Sequence, residues 1–360
     1  MKRLFLLFLV CILISGCSVS RKILDDISLV TFVGYDLVED DDQLIEATIS
    51  IPIFQADGVI QNELFTENGE FGKDLEKKFM LNAPKPIGNG KLEIALYGEA
   101  FARKGVLEST DVTQRDPSVS ANLKLAVYEG KISEFIEKQN VENQDLGMYV
   151  SKIIENNIDS EIIPRTNIHL FLQSHYAEGV DPFLPLFTIH NQKVKLKGLA
   201  LFKGDQMVSS IDEAIIFRFT MLKQRESNGK LIINLKKLNT SVSLDHIDSS
   251  RDVEIRGSSE SPEISINLKL KGIINENYGE IKSLGKQVPK IEKAIDKQLR
   301  KELLQIIKTF QEENIDPIGF GREAKAHFRD WELKKWEEIY PELKISVNVK
   351  TDIIESGVIE

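Results

Sequence analysis

The sequence predicts an α+β fold, arranged as three mixed-sheet-plus-helix domains along 360 residues. Three observations carry that expectation. Extended stretches arrive in adjacent runs instead of singly between helices, which argues against a sheet built wholly of βαβ units. One long segment carries apolar residues in steps of four (Ile291, Ile295, Leu299, Leu303, Ile307), the stripe of an amphipathic helix. The chain is 42% hydrophobic and 28% charged, enough apolar material for true cores over a length that suggests two or three domains. The expected divisions are 1–16 (a leader), 17–135, 136–238 and 239–360.

The elements are predicted in order as follows. Ile27 to Leu37 and Leu44 to Phe54 read as two strands, the second dense in β-branched residues, joined by the charged turn Glu39 to Asp42. Carboxylates crowded on one hairpin turn are read as solvated rather than as a metal site. Ala56 to Asn68 is expected to be loop. Phe71, Leu75 and Phe79 mark a helix over 71–81, and Pro84-Lys85-Pro86 with Gly88-Asn89-Gly90 breaks the chain. Leu92 to Tyr97 reads as a strand, and the stretch from Gly98 towards Asp111 as a turn into one helix. Val119 to Tyr128 alternates as a half-buried strand does.

Ile132 to Ile158 is mainly helical in pattern, and Pro164 opens another helix over 165–176. Val194 to Phe202 is expected to be a strand, with Lys203-Gly204-Asp205 as a tight turn, then helix over 211–225 and an extended stretch over 231–235. In the last third, Ser241 to Ile255 and Ile264 to Ile274 are extended. The steps-of-four helix follows, ending after Phe310. Asp316-Pro317 starts a break, a helix is expected from Arg322 to Glu338, Pro341 stops it, and Ile345, Val347 and Val349 alternate in a final strand ending near Gly357. No repeat of 20–50 residues recurs.

The amino terminus has its own signature. Lys2 and Arg3 precede an unbroken apolar run from Leu4 to Ile14. That run is too short to span a bilayer, which takes about 20 apolar residues, and suits a secretory leader. Ile14-Ser15-Gly16-Cys17 looks like a bacterial lipobox, in which Cys17 is acylated and the peptide is cut before it. The other of the two cysteines, Cys11, lies in the apolar run, so no disulfide is expected of the mature chain. Buried acyl carbons hold a protein to lipid by about 0.8 kcal/mol per methylene, and two or more chains hold firmly. No later apolar run approaches spanning length, so a water-facing body lipid-anchored on the outer face of a membrane is expected. The net charge is −10, and loss of Lys2 and Arg3 makes it more negative still. Such a body is repelled by nucleic acid and anionic lipid, which leaves the acyl chains as the attachment.

A search for chemistry finds little. The five histidines (His169, His175, His190, His246, His327) include no pair with metal-ligand spacing. There is no Gly-x-Ser-x-Gly elbow. Ser227-Asn228-Gly229-Lys230 and Ser283-Leu284-Gly285-Lys286 fit Ser-x-x-Lys, a pattern loose enough to recur by chance, and the first is read as a turn. Gly319-Phe320-Gly321-Arg322-Glu323-Ala324 fits a dinucleotide fingerprint, but a helix and Asp316-Pro317 precede it where a strand is needed, so the glycines read as a helix–helix turn. Trp331 and Trp336 are expected to pack in the core. No catalytic residue, cofactor or metal is assigned; the expected site residue is Cys17, with its covalent diacylglycerol and N-acyl lipid.

Taken in order, these features resemble the Ger(x)C family, the lipoprotein C-subunits of nutrient germinant receptors in spore-forming bacteria. The matching pieces are the lipobox cysteine, Asp26-Ile27, Leu29-Val30-Thr31 and Gly34-Tyr35-Asp36. Gly98-Glu99, Ala102-Arg103-Lys104-Gly105 and Arg115-Asp116 look like the family's central signature. The run Lys197 to Lys203 resembles its Gly-x-Ala-x-Phe-Lys strand. Asp316, Gly319-Phe320-Gly321, Trp336, Val347, Val349 and Gly357 match its closing pattern. The chain departs from the family where a Trp often follows the lipidated cysteine, with a Glu shortly beyond; Ser18 and Lys22 stand in that stretch. The resemblance implies a three-domain α+β protein on the outer face of the spore inner membrane, acting with A- and B-type membrane partners and without catalytic residues. A solute-binding lipoprotein of a transporter is the alternative, and its usual two lobes of alternating strands and helices fit the adjacent strand runs less well.

Overall fold

The computed structural model describes residues 26–38, 41, 44–70, 72–235, 238–279 and 284–356. The leader, Cys17, most of the acidic turn, Phe71, Ser283 and Gly357 lie outside the described residues. The described chain opens with β1 (Ser28–Leu29) and the antiparallel strands β2 (Phe32–Leu37), β3 (Ile45–Phe54) and β4 (Ile60–Gly69). Helix α1 (Lys73–Asn82) leads to β5 (Ile87–Gly88), which pairs in parallel with β1, and to β6 (Ile94–Gly98). Two short helices, α2 (Glu99–Lys104) and α3 (Leu107–Arg115), precede β7 (Lys124–Tyr128). Three more, α4 (Ile132–Lys138), α5 (Leu146–Asp159) and α6 (Ile168–Tyr176), precede the antiparallel strands β8 (Phe183–His190), β9 (Lys193–Lys203) and β10 (Gln206–Asp212). Helix α7 (Glu213–Lys223) crosses to β11 (Glu226–Leu235), β12 (Thr240–Ser258) and β13 (Ser261–Gly279). Helices α8 (Leu284–Glu312), α9 (Phe320–His327) and α10 (Leu333–Ile339) and strand β14 (Ile345–Ser356) follow.

Eight strands form one sheet in the order β10-β9-β8-β7-β6-β2-β3-β4, with β2, β6, β7 and β8 parallel at its centre. Central strands covered on both faces read as continuous apolar runs. That is why β6 is buried throughout and β7 nearly so. Alternate residues of each strand feed opposite cores. Tyr97, Leu125 and Val127 meet Leu75, Phe79, Phe101 and Phe171 from α1, α2 and α6 on one face. Ile94, Leu96 and Ala126 meet Phe135, Val150 and Ile154 from α4 and α5 on the other.

The second sheet, β11-β12-β13-β14, is antiparallel except for its last pair, where β14 runs parallel to β13. The expected stripe of α8 is buried in full: Ile291, Ile295, Leu299, Leu303, Ile307 and Phe310 are each at most 1% exposed. The apolar interior is continuous between the sheets. Phe183 of β8, Phe219 of α7 and Phe310 of α8 make a chain of edge-to-face rings at 5.3 and 6.0 Å. Arg218 of α7 adds an ion pair to Glu302 of α8 at 2.6 Å. The expected division at 135/136 falls inside α4, with strands of the eight-stranded sheet on both sides of it. The one at 238/239 falls in the β11–β12 connection.

Several local expectations need correction. The expected loop over 56–68 contains β4, an edge strand that, among the described residues, pairs only with β3. Its polar residues are tolerated there because an edge strand faces water. The alternation from Val119 predicts a longer strand than exists; β7 begins at Lys124. The single helix expected after Gly98 is two, broken at Gly105, whose φ of 138° lies in a region that suits glycine. The helix expected over 322–338 is likewise two, with Phe328 extended between them. Residues 227–230 are not a turn but part of β11, with a register shift between Gly229 and Leu231. Trp336 is buried in the core and Trp331 packs partly buried against it, as expected.

Candidate functional site

The acids and glycines of the family-like pieces come together as clamps between elements. Asp36, at the end of β2, is 5% exposed and its Oδ2 accepts the Ile132 N–H at 2.6 Å, which fixes the start of α4. Burial pushes its carboxyl up to about 6, against the main-chain N–H groups of Ile132 and Ser133 that favour the charged form. Gly98 is required beside it, because a Cβ there would lie 2.0 Å from Asp36 Oδ1.

The Lys203-Gly204-Asp205 turn between β9 and β10 is docked on the break between α2 and α3. The Val106 N–H donates to the Asp205 carbonyl at 3.0 Å and the Leu107 N–H to Asp205 Oδ2 at 3.2 Å. Arg103 of α2 donates to the Val208 carbonyl at 3.2 Å. Arg115, by contrast, pairs with Asp111 on the exposed face of its own helix at 2.8 Å.

The third clamp joins the two sheets. The Asp316 N–H donates to Asp181 Oδ2 at 2.7 Å, and the Asp181 N–H donates to the Asp316 carbonyl at 2.9 Å. The Asp316 carboxylate accepts the N–H groups of Gly319 and Gly321, both at 2.7 Å, which shapes the turn into α9. Burial raises the Asp316 carboxyl to about 6, opposed by these N–H groups and reinforced by the charge of Asp181. Lys203 stands 3.4 Å from Asp181 and 3.8 Å from Glu337. The Gly319-Phe320-Gly321 motif thus makes a helix–helix turn; Gly319 takes a left-handed conformation, and Gly321 lies against Gly179 and the Trp336 indole.

A cleft of about 480 Å³ opens over this clamp, walled by Tyr176, Gly179, Lys203, Trp336, Glu337 and Tyr340. Burial, then the charges of Asp316 and Asp181, push the Tyr340 phenol well above its ordinary value. Among the described residues, neither Tyr340 Oη nor His175 Nδ1 finds a hydrogen-bond partner. The carboxylates here are occupied by main-chain N–H groups, so the arrangement suits holding two parts of a protein together better than moving protons. Among the described residues no group of three or more His, Cys, Asp or Glu is placed to hold a metal ion, and no helix is long and apolar enough to cross a membrane. The clamp escaped the sequence reading because nothing local links Asp181 to a partner 135 residues away.

Comparison with known proteins gives this architecture its class. Residues 20–189 match the family model of the spore germination protein N-terminal domain. Residues 197–357 match that of the spore germination B3/GerAC-like C-terminal region. The chain is 26% identical to the spore germination protein GerQC of Bacillus cereus, with full coverage of both chains. It is 22% identical to spore germination protein KC of Bacillus subtilis over 98% of this chain and 95% of that one. The crystal structure of the GerBC protein superposes with a TM-score of 0.54, covering 89% of this chain and 97% of that one at 16% identity, so it shares the fold. These are spore germination proteins as a class. Within that class, the chain belongs to the Ger(x)C family, the one its sequence resembles.

Proposed function

We propose that this chain is a non-enzymatic, lipid-anchored subunit of a nutrient germinant receptor, acting with A- and B-type integral-membrane subunits on the outer face of the spore inner membrane. The observation that carries the reading is the succession of two germination-family matches along nearly the whole chain. The relatives, which are spore germination proteins, agree with it. The fold supports it physically: the signature acids act as clamps, which suits a body that transmits or receives contacts.

Acylation of Cys17 would hold that body at the bilayer. There it meets membrane partners at a high effective concentration instead of searching the bulk. Replacing the cysteine tests this. In spores carrying Cys17→Ala as the sole copy, the protein is expected to leave the membrane fraction and nutrient-triggered germination to slow. Retention of the variant in the membrane, or germination at the wild-type rate, would contradict the reading.

A further inference from the structure

A second cleft, of about 730 Å³, is lined in part by Arg322, Glu323, Ala326 and His327 of α9. Lys223 at the end of α7, Arg225 just beyond it, Arg251 of β12 and Arg322 of α9 all line it. The Arg251 side chain is 5% exposed and pairs through Nη2 with Glu323 at 2.8 Å. Its Nε is buried and has no hydrogen-bond partner among the described residues. A buried guanidinium with an unmet N–H is costly, so the fork is incomplete without another acceptor. Its backbone is fixed: the Arg251 N–H donates to the Arg225 carbonyl at 2.7 Å.

Lys223 is held from below by the carbonyls of Pro317 at 2.7 Å and Ile318 at 3.3 Å, and sits over the Phe183 ring at 5.9 Å. Among the described residues neither Arg225 nor Arg322 makes an ion pair. Glu226 and Asp252 also line the cleft, so once Arg251 and Glu323 are paired, three cations face two carboxylates. Burial, then repulsion from Arg322 and Arg251, brings the Lys223 ammonium down to about 8, although the charges of Asp316 and Glu323 oppose the fall.

We propose that this cleft binds a small oxyanion, a phosphate or carboxylate group, held by Lys223, Arg251 and Arg322. Arginine forks match the geometry of such groups by paired hydrogen bonds, and lysine adds a point charge. Oxyanion binding here depends on the cleft's own residues and not on the receptor reading.

Calorimetric titration of the full-length chain in detergent tests it, using sodium phosphate and sodium succinate against sodium chloride of matched ionic strength. Saturable one-site binding of either oxyanion is expected. The exposed substitution Arg322→Gln should weaken it at least about tenfold. Arg256→Gln, outside the cleft, should leave it unchanged. Absence of saturable binding by both anions, or wild-type affinity in Arg322→Gln, would overturn the proposal. If detergent micelles doped with phosphatidylglycerol, and not with phosphatidylcholine, displace the bound phosphate, the anion is a lipid headgroup. If neither does, it is a soluble anion, and both results uphold the site.

Discussion

Asp181 and Asp316 are tied to each other twice, side chain to main chain at 2.7 Å and main chain to main chain at 2.9 Å, across 135 residues of sequence. The pairing locks the segment leading into β8 to the turn that starts α9. It therefore links the eight-stranded sheet to the smaller one through buried polar contacts as well as apolar packing.

Close packing at this joint makes Gly321 intolerant of a side chain. A Cβ there would lie 2.5 Å from Trp336 Nε1 and 2.7 Å from Gly179 Cα. Gly321→Ala is expected to destabilise the protein by about 3 kcal/mol, the upper range for overpacking a filled core. Chemical unfolding followed by tryptophan fluorescence checks this, since Trp336 reports directly. A loss below about 0.5 kcal/mol would mean that the joint yields more easily than its contacts indicate.

Asp36 gives a pH dependence of definite sign. Its folded carboxyl is raised from 3.8 to about 6, so the folded protein holds this proton more tightly than the unfolded chain. The stability this contributes is complete below about pH 4 and is lost as pH rises through about 6. It amounts to about 3 kcal/mol at most. Comparing unfolding free energies of wild type and Asp36→Asn at pH 4 and pH 7 isolates it. The wild type should fall relative to the variant on going to pH 7, and parallel pH profiles would contradict the assignment.

Asp145 caps α5, accepting the Met148 N–H at 3.2 Å and the Thr31 hydroxyl at 2.7 Å. Asp145→Ala should cost about 1–2 kcal/mol and Asp145→Asn distinctly less, because the amide oxygen can still cap. Urea denaturation of the two variants distinguishes them; equal losses would show that charge, and not capping, matters.

Phe310 is fully buried at the end of α8, against Phe219. Phe310→Ala should cost about 3–5 kcal/mol. Because the core is continuous between the sheets, a single unfolding transition is expected to move as a whole. Two transitions, with only one shifted, would show that the sheets unfold separately.

The parts of this architecture legible in the sequence are those whose burial has a regular period. The α8 stripe and the alternation of Ile264, Ile266, Leu268 and Leu270 translate directly into one buried face each. β4 was hidden because an edge strand with one neighbour need not be apolar. β8 was hidden too, as Pro185 argues against a strand. Pro185 is accommodated because β7 pairs with β8 only at Leu186 and Phe187. The family-like pieces were visible as a succession of short motifs, but their purpose was not. Asp36, Asp205 and Asp316 act on partners about 100 or more residues away, and no local pattern encodes that distance.

Strand β14 has a consequence for synthesis. It is the parallel neighbour of β13, and its Thr351 and Ile353 N–H groups donate to Asp296 and Glu292 of α8 at 2.8 and 2.9 Å. The strands of the larger sheet all end by Asp212, so in a chain delivered amino terminus first to the outer face, as the proposed anchor requires, that sheet can assemble before the rest has emerged. The smaller one lacks its outer strand until residue 356 has been added, and the greasy side of α8 is left without part of its cover in the interval. A nascent polypeptide stalled between these two points would be the species that chaperones have to shield.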